Sequence, residues 1–306
     1  MNVKRARLIY NPTSGRETVR RRLPDILDRL ERGGLEVSTH ATRGEGDAAQ
    51  AAAIAVERGF DVVIAAGGDG TLHEVVNGLA EKSGRPPLGI LPLGTTNDFA
   101  RALGIPRRWD RACDVIVGGR TLAIDIGKVN DRYFLNIAGG GSLTELTYEV
   151  PIRLKTAIGQ LAYYVKGLEK LPRLRPITVD VEAGDRRFRE VVMLFLVCNS
   201  NSVAGFERLA PDASIRDGML DVFLLKKCNL ADFLRVVSLA LRGEHLGDPH
   251  LVHFRADRLQ IVSPDHVQLN LDGEFGGTLP CTISVLPRHL DVIVNPNAKP
   301  GCLRNG

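Results

Sequence analysis

Gly67-Gly68-Asp69-Gly70-Thr71 sets glycines on both sides of a carboxylate, a combination suited to a phosphate site that also needs a cation. Glycine lets a ligand approach the backbone without Cβ obstruction. A turn that ends at a helix N-terminus adds unpaired N–H donors and the positive end of the helix dipole. Asp69 would repel phosphate unless a cation lay between them, so its presence points to Mg²⁺ on a nucleotide. The same residues also suit an ordinary strand-to-helix turn, in which Gly and Asp are common. Neither G-x-x-x-x-G-K-[ST] nor a G-x-G-x-x-G that opens a helix occurs in the chain, so the site is of a third kind.

Two further loops have phosphate-binding character. Asn11-Pro12-Thr13-Ser14-Gly15 is small, polar and glycine-bearing, and is followed by Arg16, Arg20, Arg21 and Arg22. These arginines read either as a solvated face or as contacts to phosphate or acidic lipid, with Arg16 the nearest to the loop. Leu93-Gly94-Thr95-Thr96-Asn97-Asp98-Phe99 leads into a helix with Thr or Asn available as its cap. A different chemistry is offered by Asp272-Gly273-Glu274. On an extended segment an i, i+2 pair faces one side, so both acids could look into one cleft, one as a general base. A hairpin turn with two solvated acids explains the same spacing.

The elements around these loops alternate. Ala6–Tyr10, Glu36–Thr42, Val62–Ala66 and Leu88–Pro92 read as strands; Val19, Leu23, Ile26, Leu27 and Leu30 mark one helix face, and Asp47–Arg58 an alanine-rich helix. After Val62–Ala66, the residues Leu72, Val75, Val76 and Leu79 recur at helical spacing. Such alternation predicts a mainly parallel sheet covered by helices, with ligands bound outside the carboxyl ends of its strands, where the three glycine-bearing loops should converge. After Asp125-Ile126-Gly127-Lys128 strands predominate: Tyr133–Ala138, Ile177–Val181, Phe188–Val197, Met219–Leu225 and Val267–Leu271, with a hairpin turn at Ala183-Gly184-Asp185. Helices are expected near Thr156–Lys170 and Ala231–Leu241, and a mobile tail over Asn295–Gly306.

Composition narrows the function classes. The 306 residues are 44% hydrophobic and 25% charged, enough for two cores, and 40 basic against 36 acidic residues give a net charge of +4, too mild to argue for nucleic acid. Five well-separated cysteines form no C-x-x-C pair, which fits a reducing cytoplasm. The longest apolar run, Val191–Cys198, is too short to span a bilayer, and the N-terminus lacks the long apolar segment of a signal peptide.

The number, order and spacing of the loops, together with Asp125-Ile126-Gly127, Arg216-Asp217-Gly218 and Asp272-Gly273-Glu274, resemble the soluble bacterial diacylglycerol kinases of the wider lipid kinase family over about Arg5 to Asp291. The resemblance implies an α/β nucleotide-binding domain over residues 1–128, joined by a returning segment 291–306, and a β-sandwich lipid-substrate domain over 129–290. ATP and Mg²⁺ would lie in the interdomain cleft. It implies nucleotide contacts by Asn11, Pro12, Thr13, Ser14, Gly15 and Arg16, by Thr42, by Gly67, Gly68, Asp69, Gly70, Thr71, Leu72 and His73, and by Gly94 and Thr95. Glu274 is implied as the base that takes the lipid hydroxyl's proton, with Asp272 its competitor, Asp69 as the residue that manages nucleotide-bound Mg²⁺, and Asp125 as holder of an ordered network between them. Asp217 matches a structural Mg²⁺ site completed by backbone oxygens at Ser214 and Met219; an ordinary Asp-Gly turn is its alternative. Arg16, His73 and Thr96 depart from the family's usual lysine, asparagine and aliphatic residue, and Arg binds phosphate as a planar fork where Lys is a point charge.

The implied activity is ATP-dependent phosphorylation of 1,2-diacylglycerol to phosphatidic acid in phospholipid biosynthesis or recycling, in the cytoplasm at the inner membrane face. The implied partners are diacylglycerol in an anionic membrane surface and a second copy of the chain in a homodimer, with no nucleic acid. A related kinase acting on phosphatidylglycerol, a sphingoid base or NAD would share the loops, and a silent lipid-sensing module would share the nucleotide site. Membrane contact is expected from the cations Arg153, Lys155, Lys166, Lys170, Arg173 and Arg175 around the helix face Ile158, Leu161, Ala162, Val165 and Leu168, a face that also suits core packing.

Overall fold

The computed structural model describes residues 3–141, 175–201 and 209–296. The first strands, β1 (Lys4–Tyr10), β2 (Leu35–Ala41), β3 (Val62–Gly67) and β4 (Leu88–Pro92), pair in parallel in the order β4-β3-β1-β2. Every residue of β3 and β4 is buried, as expected for parallel strands covered on both faces. The cover comes from helices α1 (Ser14–Arg32), α2 (Asp47–Glu57), α3 (Asp69–Leu79), α4 (Asp98–Ala102) and α5 (Trp109–Gly118). On α1, Val19, Ile26 and Leu30 are fully buried and Leu23 and Leu27 pack beside them, so the predicted stripe is the one that faces the sheet.

Antiparallel strands build the second domain, a β-sandwich around Phe195, Val197, Val222, Ile261, Leu271 and Ile283. They are β6 (Arg132–Phe134), β7 (Ile137–Gly140), β8 (Ile177–Ala183), β9 (Arg186–Cys198), β10 (Leu220–Lys226), β11 (Leu251–Ala256), β12 (Arg258–Val262), β13 (Gln268–Leu271) and β14 (Glu274–Thr278). The β8–β9 hairpin turns at Gly184-Asp185, as its sequence indicates. Helix α6 (Leu230–Arg242) is capped by the Asn229 side chain, which accepts from the Asp232 N–H. No helix among the described residues is long and apolar enough to cross a membrane. The helix expected near Thr156–Lys170, its apolar face and the cations from Arg153 to Arg173 lie outside the described residues, as does the expected tail from residue 297.

The expected single strand Tyr133–Ala138 is two strands. Leu135, Asn136 and Ile137 donate their N–H groups to the Asp272 carboxylate at 2.6, 2.8 and 3.0 Å, so the ladder is interrupted where a side chain replaces a neighbouring strand. Strand β14 and the long β15 (Cys281–Val294) were not legible, because Gly276-Gly277 and Pro287 break the pattern of apolar, β-branched residues that marks a strand.

Strands β5 (Arg120–Val129) and β15 pass through both cores. Ile283–Leu286 pair with Ile126–Val129, of which Val129, Ile283 and Val285 lie in the second core, while Leu290–Val294 pair with Arg120–Ile124 in the first, where Ile126 and Leu286 also pack. The register shifts between Leu286 and Leu290, and Asp125 stands at the shift, fully buried. Its carboxylate accepts the N–H of Arg288 and that of Gly218, each at 2.7 Å, while its own N–H donates to the Ile215 carbonyl at 2.7 Å. Asp125 thus closes the waist between the cores. The expected place is between Asp69 and Glu274; the bonds of its carboxylate and N–H run instead to β15 and to the loop before β10, and its carbonyl accepts from the Asn199 side chain at 3.0 Å. Burial pushes its carboxyl pKa up, opposed by the two N–H bonds.

Asp125→Ala leaves two part-buried N–H donors without their acceptor, each costing about 1–2 kcal/mol, the lower part of the range for a buried group. Chemical denaturation should show a loss of roughly 2–4 kcal/mol. A midpoint equal to that of the parent would mean that the waist is held without this carboxylate.

Candidate functional site

Strands β1, β3 and β4 are adjacent and parallel, so the loops that follow them leave from one edge of the sheet. They meet there. Asn11 donates its N–H to the Ala66 carbonyl at 3.2 Å and Leu93 donates to the Gly67 carbonyl at 2.9 Å. A Cβ on Gly94 would lie 2.4 Å from the Gly68 Cα, so these two loops touch backbone to backbone and no larger residue fits. The Asn11 side chain shapes its own loop by accepting the Thr13 N–H at 2.9 Å and hydroxyl at 2.8 Å. The Thr42 N–H reaches the Tyr10 carbonyl at 2.9 Å, which brings the end of β2 alongside.

Between them lies a cleft of about 340 Å³, bounded by Asn11–Thr13, Thr42–Glu45, Gly70, Thr71 and, from the second domain, Glu274. Helices α1 and α3 begin at this cleft, after Thr13 and Gly68, with no side-chain cap on either. Their first-turn N–H groups and dipoles suit an anion of phosphate type.

Asp69 is tied to the third loop. Its Oδ2 accepts the Asn97 N–H and its Oδ1 the Asp98 N–H, both at 2.8 Å. The start of α4 is therefore capped from another loop by Asp69, which corrects the expected local Thr or Asn cap; the Asn97 amide instead bonds to Gly94. Burial and repulsion from Asp98 push the Asp69 pKa up to about 6, against the two N–H bonds that lower it. Asp98 itself pairs with Arg101. A buried carboxylate next to other acids and beside an anion site favours a bound cation, and hard oxygen donors suit Mg²⁺, so the residues fit Mg²⁺ carried on a nucleotide.

Asp272 and Glu274 occupy a two-residue hairpin. Leu271 pairs with Glu274, and Asp272-Gly273 form the turn with φ of 53° and 105°. The expected extended segment with both acids on one face is thereby corrected. The Asp272 side chain is 4% exposed and accepts the three N–H groups of Leu135–Ile137, so its lone pairs are committed to the backbone. Glu274 is exposed and lines the cleft. A Cβ on Gly70 would lie 2.8 Å from the Glu274 Oε1, which places this carboxylate over the central loop.

His73, expected among the nucleotide contacts, turns away from the cleft and meets Asp272 through Nδ1 at 3.5 Å. Leu72 is buried in the first core. Thr95 is exposed, and its carbonyl accepts from Arg107 at 2.8 Å. Ser14 is near Gly68, and Arg16 lies in the first turn of α1.

Far from the cleft, Asp217 accepts the Met219 N–H at 3.1 Å and pairs with Arg255, and Asp125 is near enough to feel its charge. Ser214 is buried beside them in sequence. Carboxylates and loop carbonyls are the donor type that Mg²⁺ takes, so the set fits the implied ion in kind, with Arg255 as the competing cation. Among the described residues no group of three or more His, Cys, Asp or Glu side chains could hold a metal.

The cleft also contains residues that sequence reasoning missed: Arg43, Glu45 and Glu74, the last accepting the Ala48 N–H at 3.0 Å. Asn97 and Asp98 were visible within their motif, but their bonds to Asp69 depend on two loops meeting in space, which has no local signal.

Residues 5–129 match the diacylglycerol kinase catalytic domain, and residues 147–294 match the YegS C-terminal NAD kinase beta sandwich-like domain. The chain is 56% identical over 293 residues to a diacylglycerol kinase of Bacillus subtilis (strain 168), covering 95% of this chain and 97% of the relative. It is 49% identical over 294 residues to a diacylglycerol kinase of Staphylococcus aureus (strain Newman), covering 96% and 93%. A crystal structure of a diacylglycerol kinase from Bacillus anthracis str. Sterne superposes with a TM-score of 0.81 at 27% identity, covering 97% of this chain and 99% of that one.

The Asp69 geometry predicts a pH dependence. Its folded pKa of about 6 exceeds the value of an exposed aspartate, so the unfolded chain releases this proton first as pH rises. Stability from this group is present below about pH 4, is lost as pH rises to about 6, and is flat above, a fall of about 3 kcal/mol. Asp98→Asn removes the neighbouring charge and should shrink that fall. Denaturant midpoints between pH 4 and 7 test it, and a slope equal to the parent's would show that Asp98 does not set the ionisation of Asp69.

Proposed function

The chain belongs to the diacylglycerol kinase family, and from that premise we propose that it transfers the γ-phosphoryl group of ATP to the free hydroxyl of 1,2-diacylglycerol, giving phosphatidic acid. Lipid kinase activity, with ATP as donor, is what the family match carries. The choice of acceptor, a place in phospholipid biosynthesis or recycling, peripheral contact with anionic lipid at the inner membrane face and homodimer formation belong to the proposal.

One observation supports the reading above the others: the Glu274 carboxylate, carried by the second domain, lies over Gly70 in the phosphate-type loop of the first. A carboxylate there is placed to take the acceptor's proton. A lipid hydroxyl is almost wholly un-ionised at neutral pH, so its attack on phosphorus benefits from a base that accepts the proton as the O–P bond forms. The bond from the γ-phosphorus to the bridging oxygen breaks, and its electron pair leaves with ADP. The first-turn N–H groups of α3, and those of α1 after Ser14, would hold the phosphates and meet the developing charge. Mg²⁺, when bound with the nucleotide near Asp69, would neutralise further negative charge on the phosphates. Phe275, next to Glu274 and 48% exposed, places apolar surface beside the base, which suits an acceptor with acyl chains.

Glu274→Gln keeps the shape and removes the basicity. The loss of a positioned general base costs about 10²–10⁴-fold in rate, so kcat should fall by that order while ATP affinity stays near that of the parent. The same assay run with diacylglycerol, phosphatidylglycerol, a sphingoid base and NAD identifies the acceptor, and no turnover with diacylglycerol would overturn the proposal.

A further inference from the structure

The α3 helix meets the hairpin that carries Glu274 at two points. Gly70 lies under the Glu274 carboxylate, and His73, one helical turn later on the same face, meets Asp272. The two domains therefore touch at i and i+3 of a helix and at the first and third residues of Asp272-Gly273-Glu274. The first contact sets how near the base can come. The second contact can fix the register.

The hydrogen bonds around His73 orient its ring. Asn77 Nδ2 lies 3.4 Å from His73 Nε2, and this Asn also donates to the carbonyls of His73 at 2.9 Å and Tyr133 at 3.1 Å, while its Oδ1 accepts the Tyr133 N–H at 3.0 Å. Both protons of the Asn77 amide go to the two carbonyls, so the tautomer follows from Asp272: its carboxylate only accepts, and the Nδ1 that faces the Asp272 Oδ2 at 3.5 Å carries the proton. His73 and Asp272 are both shielded from water, with side chains 10% and 4% exposed. Asp272 is in turn locked to the second domain by its three N–H bonds and by its own N–H to the Ile137 carbonyl at 2.9 Å. A rigid path thus runs from α3, whose first turn borders the nucleotide cleft, through an imidazole and a buried carboxylate to the turn two residues from Glu274.

We infer that His73 is a positioning residue, which holds the Asp272-Gly273 turn and so sets the Glu274 carboxylate against the phosphate loop. The inference rests on Glu274 as the base. It gives a function to a side chain that does not line the cleft. Misplacing a reacting group by about 1 Å costs up to about 10²-fold in rate, which is the scale expected when the register is lost.

The test measures kcat, the KM for ATP and thermal midpoints for His73→Ala, His73→Asn, Glu274→Gln and the Glu274→Gln/His73→Ala pair, with diacylglycerol in mixed micelles. His73→Ala should lose about 10–100-fold in kcat with the KM for ATP within about threefold. His73→Asn, which retains an N–H donor toward Asp272, should recover most of that loss. In the Glu274→Gln background the alanine substitution should add little, because there is no longer a base to position. A KM for ATP that rises in step with the loss of kcat, or a folded His73→Asn protein no better than His73→Ala, overturns the inference. Multiplying losses in an impaired Glu274→Gln protein would overturn the role of His73 alone, whereas a parental kcat in Glu274→Gln would overturn the base assignment and this inference with it.

Discussion

Two strands, β5 and β15, belong to both hydrophobic cores, and the buried Asp125 carboxylate closes the point where their pairing changes register. The proposed phosphate loop on one core and the proposed base on the other can act on one reaction only if the cores keep a fixed relation. Backbone pairing on each side of the waist resists sliding, and Asp125 satisfies the Arg288 N–H, which the register shift removes from the ladder, while its other oxygen accepts the Gly218 N–H from the loop before β10. The sheet path from β14 through β15 to β2 is continuous for the same reason.

Aspartate and glutamate do different work here because their surroundings differ. Asp125 and Asp272 each accept N–H groups from distant backbone and are nearly or wholly buried, so both act as fasteners. Asp69 accepts two N–H groups, yet burial and, after it, the neighbouring Asp98 push its pKa up to about 6. Glu274 remains exposed at the cleft, with solvent access for a proton to come and go. Asp217 has a guanidinium beside it and a second carboxylate within range of its charge, an arrangement balanced between an internal cation and an external one.

The α3 helix links these fasteners to the chemistry. Its N-terminus borders the cleft, its buried face, with Leu72, Val75, Val76 and Leu79, anchors it in the first core, and His73 and Asn77 reach the second domain. Beyond its end, Glu81 extends the contact by pairing with Lys128 and bonding the Tyr133 hydroxyl. The proposed phosphate site and the register of the domains therefore share the same element.

Much of this was legible in the sequence. Short apolar strands, amphipathic helices and glycine-bearing loops are encoded by neighbours in the chain, so the parallel sheet, the apolar face of α1, the convergence of the three loops and the change to strand-rich structure after Asp125 could all be read from periodicity and turn chemistry. The family resemblance added Glu274 and the division into an α/β domain and a β-sandwich. What only the tertiary structure decided is which acid does what. Asp272 and Glu274 are two residues apart, and nothing local says that one is consumed by Leu135–Ile137 while the other faces the cleft. Asp125 acts at the waist and Asp69 caps α4 because their partners lie at Gly218 and Arg288 in one case and Asn97 and Asp98 in the other. Hydrogen-bond partners distant in sequence leave no periodic trace, so a carboxylate's role becomes visible only when folding brings the donors to it.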